Sequence, residues 1–395
     1  MVFFFALPPN LVDTYGDWRP ILELRERFEH RVNFDLDNTS PDVRSRLLSR
    51  WRVGFEASLP DGWKTRVVYQ YSNNRDYTPG GNFEEEKNNI REAFFWRSVS
   101  EGERVFLGRQ IINIDNHRLV GATEWDNIGR TWDALRYQWD LDRGHWDAFA
   151  AKLGTAPFGG YSKNAYLGGL GYRWTSGDHV YLFYKHDRAG AGSHIDVYTL
   201  NGVKRGSIGV FHYGVEGSLQ TGRIPTGSLQ AWHFSGYLGL PVCGDLQLLL
   251  ETNWASGGTD NGVSNTFDQL YPTNHDKYGY ADLQGLRNVR HLGARFFYDP
   301  KGPLSADMGY HLFQLYDRTD AWYGASGAPI LQDPTGNSGR NVGSELDLRA
   351  RWDSPGKWYL EGGLSWFVPG SFINNVQGQD VDDLIFWYLM AGWKY

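Results

Sequence analysis

Short segments in which apolar and polar side chains alternate, separated by turn residues, recur from end to end of this chain. That pattern restricts the fold more than any other feature. Successive side chains of a strand point to opposite faces, so a period of two gives each segment one apolar and one polar face. Leu47, Ser49, Trp51, Val53, Phe55, Ala57 and Leu59 fall on one face, and Arg46, Leu48, Arg50, Arg52, Gly54, Glu56 and Ser58 on the other. After Pro60-Asp61-Gly62, the next segment sets Trp63, Thr65, Val67, Tyr69 and Tyr71 against Lys64, Arg66, Gln70 and Ser72. In the last segment Ile385, Trp387, Leu389, Ala391, Trp393 and Tyr395 share a face, and an aromatic final residue is how outer-membrane barrels commonly finish. Helical periodicity is nearly absent.

A bundle of spanning helices is excluded. The mean hydropathy is −0.51. Val2 to Ala6, the apolar run at the start, is far shorter than the roughly 20 residues a spanning helix needs. Yet aromatics make up 16% of the chain, with 17 Trp and 23 Tyr, and those rings need a place. Two girdles at the membrane–water interfaces provide one, and the sugar platforms of a soluble β-sandwich provide another. A net charge of −7 offers no basic patch for nucleic acid. The single cysteine, Cys243, has no internal disulfide partner, and no His or Cys spacing suggests a metal, so no cofactor is expected. Residues 1–17 lack the basic start and full apolar stretch of a signal peptide. They are expected to be an N-terminal extension or the trimmed remnant of a targeting segment, with residues 18–395 forming one barrel.

The connections favour the barrel over the sandwich. Strands are predicted near 20–31, 43–58, 63–74, 88–98, 103–112, 130–140, 145–153, 164–174, 179–187, 194–201, 207–222, 227–240, 244–256, 287–299, 305–316, 341–353, 357–367 and 383–395. That is eighteen, the even number expected of a single-chain antiparallel transmembrane β-barrel, although 207–222 could also be read as two. Short turns at 60–62, 142–144, 176–178, 241–243 and 354–356 alternate with longer connections at 75–87, 113–129, 257–286, 317–340 and 368–381. Such sorting predicts short periplasmic turns on one rim and long extracellular loops on the other.

With the apolar face outward, the polar face collects bases. Arg25, Arg27, Arg46, Arg50, Arg52, Arg66, Arg91, Arg136, Lys152, Arg173, Arg295, Arg349 and Arg351 fall on or near it, with Arg109 assigned to the same set. Glu23, Glu56, Glu216, Glu251, Glu345, Asp347 and Glu361 share that face. Basic residues therefore outnumber acidic ones there although the chain is net acidic, as an anion-selective pore requires. A planar guanidinium also grips carboxylates through two parallel hydrogen bonds. Bracing between strands is the competing role for each arginine, and Glu345 and Asp347 are expected to orient neighbouring guanidinium groups. Tyr181, Phe183, Phe297 and Phe313 point inward and suit space-filling beneath a folded loop. A barrel enzyme would need a nucleophile beside a histidine. His291 and His311 lie on neighbouring strands, but no serine in a signature context accompanies them.

Three ordered stretches resemble the alginate-export family of outer-membrane porins. Gly108-Arg109-Gln110 is followed by His117-Arg118-Leu119-Val120-Gly121 and by Glu124-Trp125-Asp126-Asn127-Ile128-Gly129-Arg130-Thr131-Trp132-Asp133. Thr266-Phe267-Asp268-Gln269-Leu270-Tyr271-Pro272-Thr273-Asn274-His275 runs on to Tyr278-Gly279-Tyr280-Ala281-Asp282, and Asn341-Val342-Gly343-Ser344-Glu345-Leu346-Asp347-Leu348 forms the third. Ser256-Gly257-Gly258 departs from the family's more usual Ser-Gly-Asp. The resemblance implies an 18-stranded barrel in the bacterial outer membrane with an arginine-lined route for an anionic polyuronate such as alginate, and no catalysis. On this reading Arg46, Arg50, Arg52, Arg66, Arg109, Arg136, Arg295, Glu345, Asp347, Arg349 and Arg351 line the pore. Arg118, Trp125, Asp126, Asn127, Arg130 and Asp133 belong to a constriction loop. The partners would be an anionic glycan or small anionic solute, outer-membrane lipid and periplasmic export proteins. A general diffusion porin for small anions or sugars is the alternative, ahead of a barrel enzyme or a soluble glycan-binding protein.

Overall fold

A computed structural model describes residues 17–39, 42–78, 84–155, 164–188 and 194–395. The N-terminal residues 1–16, assigned above to an extension or targeting remnant, lie outside the described residues. Eighteen long strands form one antiparallel sheet. They are β1 (Trp18–Val32), β2 (Val43–Ser58), β3 (Lys64–Asp76), β4 (Glu84–Ser100), β5 (Glu103–Gln110), β6 (Thr131–Leu141), β7 (Gly144–Thr155), β8 (Tyr166–Trp174) and β9 (His179–Arg188). Then follow β10 (His194–Ile208), β11 (Phe211–Ile224), β12 (Gly227–Cys243), β13 (Leu246–Ala255), β14 (Val289–Tyr298), β15 (Leu304–Leu315), β16 (Asn341–Asp353), β17 (Trp358–Pro369) and β18 (Leu384–Lys394). Each pairs with its sequence neighbour, and β18 returns to β1, from Glu23 opposite Lys394 to Val32 opposite Ile385. The sheet is therefore a closed barrel with no free edge, as strands in hydrocarbon require.

Alternation sorts the side chains as the sequence predicts. Leu107, Leu135, Leu219, Leu292 and Leu389 stand outward, each more than half exposed, in an apolar band. Trp18, Trp174, Trp352, Trp358 and Tyr395 ring it near one rim, and Tyr166, Tyr184, Tyr198, Trp254 and Trp366 near the other. Inside, bulky rings lie over glycines of the adjoining strand. A Cβ on Gly171 would collide with the Tyr181 ring, and one on Gly363 with the Tyr388 ring.

Several boundaries differ from expectation. Strand β10 runs to Ile208, past the predicted end at 201, because Gly202 and Gly206 blur the alternation without interrupting the ladder to β11. The predicted segment 207–222 takes in the end of β10 and the turn at Gly209-Val210, and from Phe211 onward it is one strand, β11. Pro241-Val242-Cys243 is the end of β12, and the turn falls at Gly244-Asp245. The turn rim otherwise carries short connections, and the other rim carries the long segments 111–130, 256–288, 316–340 and 370–383. Pro225-Thr226, joining β11 to β12, is the exception on the long-loop rim. The last of these loops contains the short helix α1 (Ser371–Gln377), whose Phe372 and Ile373 are buried.

A valine at Gly171 should displace the Tyr181 ring and destabilise the barrel by about 1–3 kcal/mol, the usual cost of overpacking. The measurement is the temperature at which the compact, heat-modifiable gel band is lost. An unchanged temperature would show that the ring–glycine contact is incidental.

Candidate functional site

Two loops fill the waist of the lumen, and guanidinium groups of the wall hold them there. Loop 111–130 leaves β5 and turns inward. Arg25 donates to the carbonyl of Glu124 at 2.8 Å and of Asp126 at 3.3 Å, and Arg50 donates to the same two carbonyls at 2.8 and 3.1 Å. Arg27 donates to the Trp125 carbonyl at 2.6 Å. Asn127 donates to the carbonyls of Ser49 and Asn73, while its own carbonyl accepts from Ser72. A β-bulge opposite Val68 and Tyr69 turns both Arg91 and Glu92 inward. Arg91 reaches the Arg130 carbonyl at 2.9 Å and the Glu124 carboxylate, and Glu92 receives Arg66 at 3.1 Å.

Glu124 is the charged hub of this loop. Arg52 lies 2.8 Å from its carboxylate and Arg50 lies 3.6 Å away. Burial alone would raise its pKa, but Arg52, Arg91 and Arg50 together hold it well below the usual carboxylate range. Asp126 behaves oppositely: burial and the nearby Asp282 carboxylate push it up to about 6.

Loop 256–288 lies beside the first. Val120 and Tyr271 form a parallel bridge, and Arg130 donates to the carbonyls of Gly121, Tyr271 and Pro272. Arg118 crosses from the first loop to Tyr278 of the second at 2.6 Å and to the wall carboxylates Glu216 and Glu251 at 3.3 and 3.8 Å. Lys185 holds Asp268 at 2.8 Å. Glu345 and Asp347, both fully buried, accept from the backbone N–H groups of Ala281 at 2.8 Å and Tyr280 at 3.3 Å. They anchor this loop, which corrects the expectation that they orient arginines. Two carboxylates, each aimed at one of two consecutive N–H groups, satisfy donors that would otherwise be stranded.

The loops divide the lumen into two cavities, of about 640 Å³ toward the long-loop rim and about 550 Å³ toward the turn rim. Arg27, Arg31, Arg44, Arg46, Glu29, Asp126 and Asp282 line the outer cavity. Arg25, Arg50, Arg52, Arg66, Arg349, Lys394, Glu23, Glu92, Glu124, Asp276 and Glu361 line the inner one. Among the described residues each lining carries one more basic than acidic side chain, a smaller excess than the sequence suggested. Between them Trp125 stacks on His275, with ring centroids 3.7 Å apart and planes inclined by 5°.

Most of the expected arginines have carboxylate partners. Arg50 lies 2.5 Å from Glu23, and Arg52 lies 3.2 Å from it. Arg349 meets Asp307 at 2.6 Å, Arg351 meets Asp353 at 2.6 Å and Glu361 at 3.2 Å, and Arg46 stands 3.9 Å from Asp76. Arg136 grips Asp147 through two bonds of 2.7 Å within the wall, and Arg295 donates to the Asp276 carbonyl at 2.7 Å. Arg109 and Asp133 depart from the expectation. They pair at 2.7 Å on the outer face, in the alternation of Leu107 and Leu135, and Asp133 belongs to β6 rather than to the loop. Lys152 lies opposite Asp133 on the same outer face, so it too is outside the lumen. The glycine at 108 and the polar residues near the rim disguise the parity there. Arg27, Arg31, Arg44, Glu124 and His275 were not singled out as site residues. The alternation of β1 and β2, carried on to the strand ends, marks the three arginines, whereas no periodicity marks the loop residues.

Tyr181, Phe183 and Phe313 are buried against the infolded loops. His291 and His311 touch at 2.9 Å, with Asn253 and Asp347 as their further partners. His233 sits between the hydroxyls of Ser218 and Ser235, each at 3.0 Å.

Residues 21–386 match the family described as Alginate export. None of the curated proteins compared with the chain matches it. Among solved structures it resembles Pseudomonas aeruginosa OpdK with vanillate, at a TM-score of 0.64 and 12% identity over 96% of this chain and 99% of that one. It also resembles Pseudomonas aeruginosa OccK2 (OpdF) in complex with glucuronate, at 0.62 and 11% over 96% and 97%. A third is Pseudomonas aeruginosa OccK5 (OpdH), at 0.62 and 12% over 96% and 98%. At such identities the likeness is one of fold.

Two outcomes follow for the loop. Glu124→Gln removes a carboxylate from Arg52 and Arg91. Because the Glu124 side chain is 45% exposed to the inner cavity, the expected loss of loop closure is about 1–2 kcal/mol, below the 3–5 of a fully buried pair. New proteolytic cleavage within 111–130, with the barrel band intact, is the readout. Asp126 has a higher pKa in the closed loop than in a released one, so closure binds the proton and weakens as pH rises through about 6. Amide protection factors in 111–130, taken relative to intrinsic exchange at each pH, should therefore rise between neutral and roughly pH 5, and Asp126→Asn should abolish that rise.

Proposed function

The chain belongs to the alginate-export family and is a channel of the bacterial outer membrane, and from that premise we propose that it passes anionic glycans or related carboxylates such as uronates. The observation that carries this reading is a like-charge pair. Arg31 and Arg44 stand directly opposite each other across β1 and β2 at the outer cavity. Like charges placed so are mutually destabilising. Arg31 lies over Phe386 at 4.1 Å and donates to the Ala281 carbonyl, and Arg44 lies over Phe34 at 4.4 Å. Among the described residues neither is in an ion pair. A wall needs no such pair for bracing, whereas an anion arriving in the cavity would neutralise it.

From there the solute would pass Arg46 and Arg27 to reach Arg25, Arg50, Arg52, Arg66 and Arg349 in the inner cavity. The carboxylates already on these arginines favour release, since conduction requires binding weak enough to leave. Arg118, Trp125, Asp126, Asn127 and Arg130 shape the waist in this reading. Arg136, Arg295 and Arg351 brace wall and loops, and no covalent step is involved. Two structural neighbours hold small carboxylates, glucuronate and vanillate, which fits a site built for that group.

Reversal potentials in planar bilayers test the reading. The wild type should prefer anions, and Arg31→Glu with Arg44→Glu should move the preference toward cations by roughly three-fold or more, as a reversed ring of charge does. A cation preference in the wild type would sink the proposal, and an unchanged preference in the double variant would remove the arginine pair from it.

A further inference from the structure

Among the described residues, Trp125 is the one side chain common to the linings of both cavities. It is partly buried and packs against the core. The Arg27 guanidinium lies 3.6 Å above one indole face, the His275 imidazole covers the other, and the Tyr388 ring meets it edge-on at 4.8 Å. These three hold it from three different places: β1, loop 256–288 and β18. Arg27 pairs with Glu29 at 2.8 Å while donating to the Trp125 carbonyl, and His275 is fixed by Asp282 at 3.0 Å. The indole is thus clamped between a cation and a loop histidine in the space that joins the two cavities.

We propose that Trp125 is the door between the two cavities and Arg27 its latch, released when a carboxylate in the outer cavity takes the guanidinium from the Trp125 carbonyl. The latch half rests on the anion-transport reading above, and the door half does not. Arg27 lines the outer cavity, so an entering anion reaches it before it reaches the waist. One of its N–H donors now serves the Trp125 carbonyl, with Glu29 beside it at ion-pair distance, and an entering carboxylate competes for that donor. A guanidinium N–H binds a carboxylate more strongly than it binds a neutral carbonyl, so ligand occupancy would free the peptide at 125 and let the indole swing from between Arg27 and His275. His275 and Tyr388 would remain as the frame against which the ring recloses. Recognition of the solute and opening of the path would then be one event, because the same guanidinium does both.

Single-channel conductance of the full-length protein in planar bilayers tests this, with a uronate trisaccharide as the added probe. Trp125→Ala should raise conductance at least about three-fold, since removing the indole joins the two cavities. Trp125→Phe, which keeps a smaller ring between Arg27 and His275, should raise it less than Trp125→Ala does. The trisaccharide should increase the open fraction of the wild type and leave that of Arg27→Met unchanged. Retention of the compact gel band reports folding, and if Trp125→Ala fails that check, His275→Ala takes its place with the same expectation of increased conductance. Wild-type conductance in a folded Trp125→Ala or His275→Ala channel overturns the door. A probe response that survives in Arg27→Met overturns the latch. A cation preference in the wild type removes the transport reading and the latch with it, but leaves the door standing if the alanine variants conduct more.

Discussion

The pairing of β18 with β1 is the contact on which everything else in this molecule depends. Ten residue pairs, from Glu23 with Lys394 to Val32 with Ile385, close the sheet. Without that seam two rows of backbone N–H and C=O groups would face hydrocarbon, where nothing can satisfy them. With it, the sheet has an inside. Because side chains alternate, the register at the seam also decides which residues of β1 enter that inside. A slip of one residue would send Arg25, Arg27 and Arg31 into lipid and bring Leu22 and Leu24 into the lumen. The charged interior is thus a consequence of backbone pairing before it is a matter of electrostatics.

Inside, the balance is between packing and charge. The lumen is not an open ring of bases. Its waist is occupied by loops 111–130 and 256–288, and most wall arginines spend their donors on Glu23, Glu124, Glu361, Asp307 or loop carbonyls. An isolated guanidinium in such a place would cost far more than one that is paired. Arg31 and Arg44 differ in having no ion pair among the described residues, although Arg31 donates to the Ala281 carbonyl, and they oppose each other at the outer cavity. The Arg109–Asp133 pair, on the other face of the same wall, has no view of the lumen and marks the upper limit of the apolar band.

Much of the architecture was legible because the period of two is a direct imprint of the wall. A strand lies near each of the eighteen predicted segments, and the largest boundary error is the end of β10, where Gly202 and Gly206 break the pattern while the ladder continues. Inward parity was legible too, except near the rims, where both faces become polar: Arg109 and Lys152 face outward rather than inward, and Asp133 lies on β6 rather than in the loop. Loop geometry was not legible. Nothing in local sequence says that Glu124 meets Arg52 from another strand or that His275 stacks on Trp125. Those contacts join segments far apart in the chain, and only the closed barrel brings them together. The roles of Glu345 and Asp347 were misjudged for the same reason: their partners are backbone N–H groups of a loop whose path the sequence does not disclose.

The way the wall holds the infolded loop 111–130 has a consequence for how such a channel can diversify. Arg25, Arg50 and Arg27 reach the carbonyls of Glu124, Trp125 and Asp126, and Arg91 reaches that of Arg130. Every residue presents a carbonyl, so tethers of this kind are blind to the identity of the side chain they support. Substitutions at 125 or 126 can alter what the waist admits while its backbone stays moored. A scaffold anchored through its peptide groups can drift toward new solutes by changes in a few loop positions, with no compensating change in the barrel.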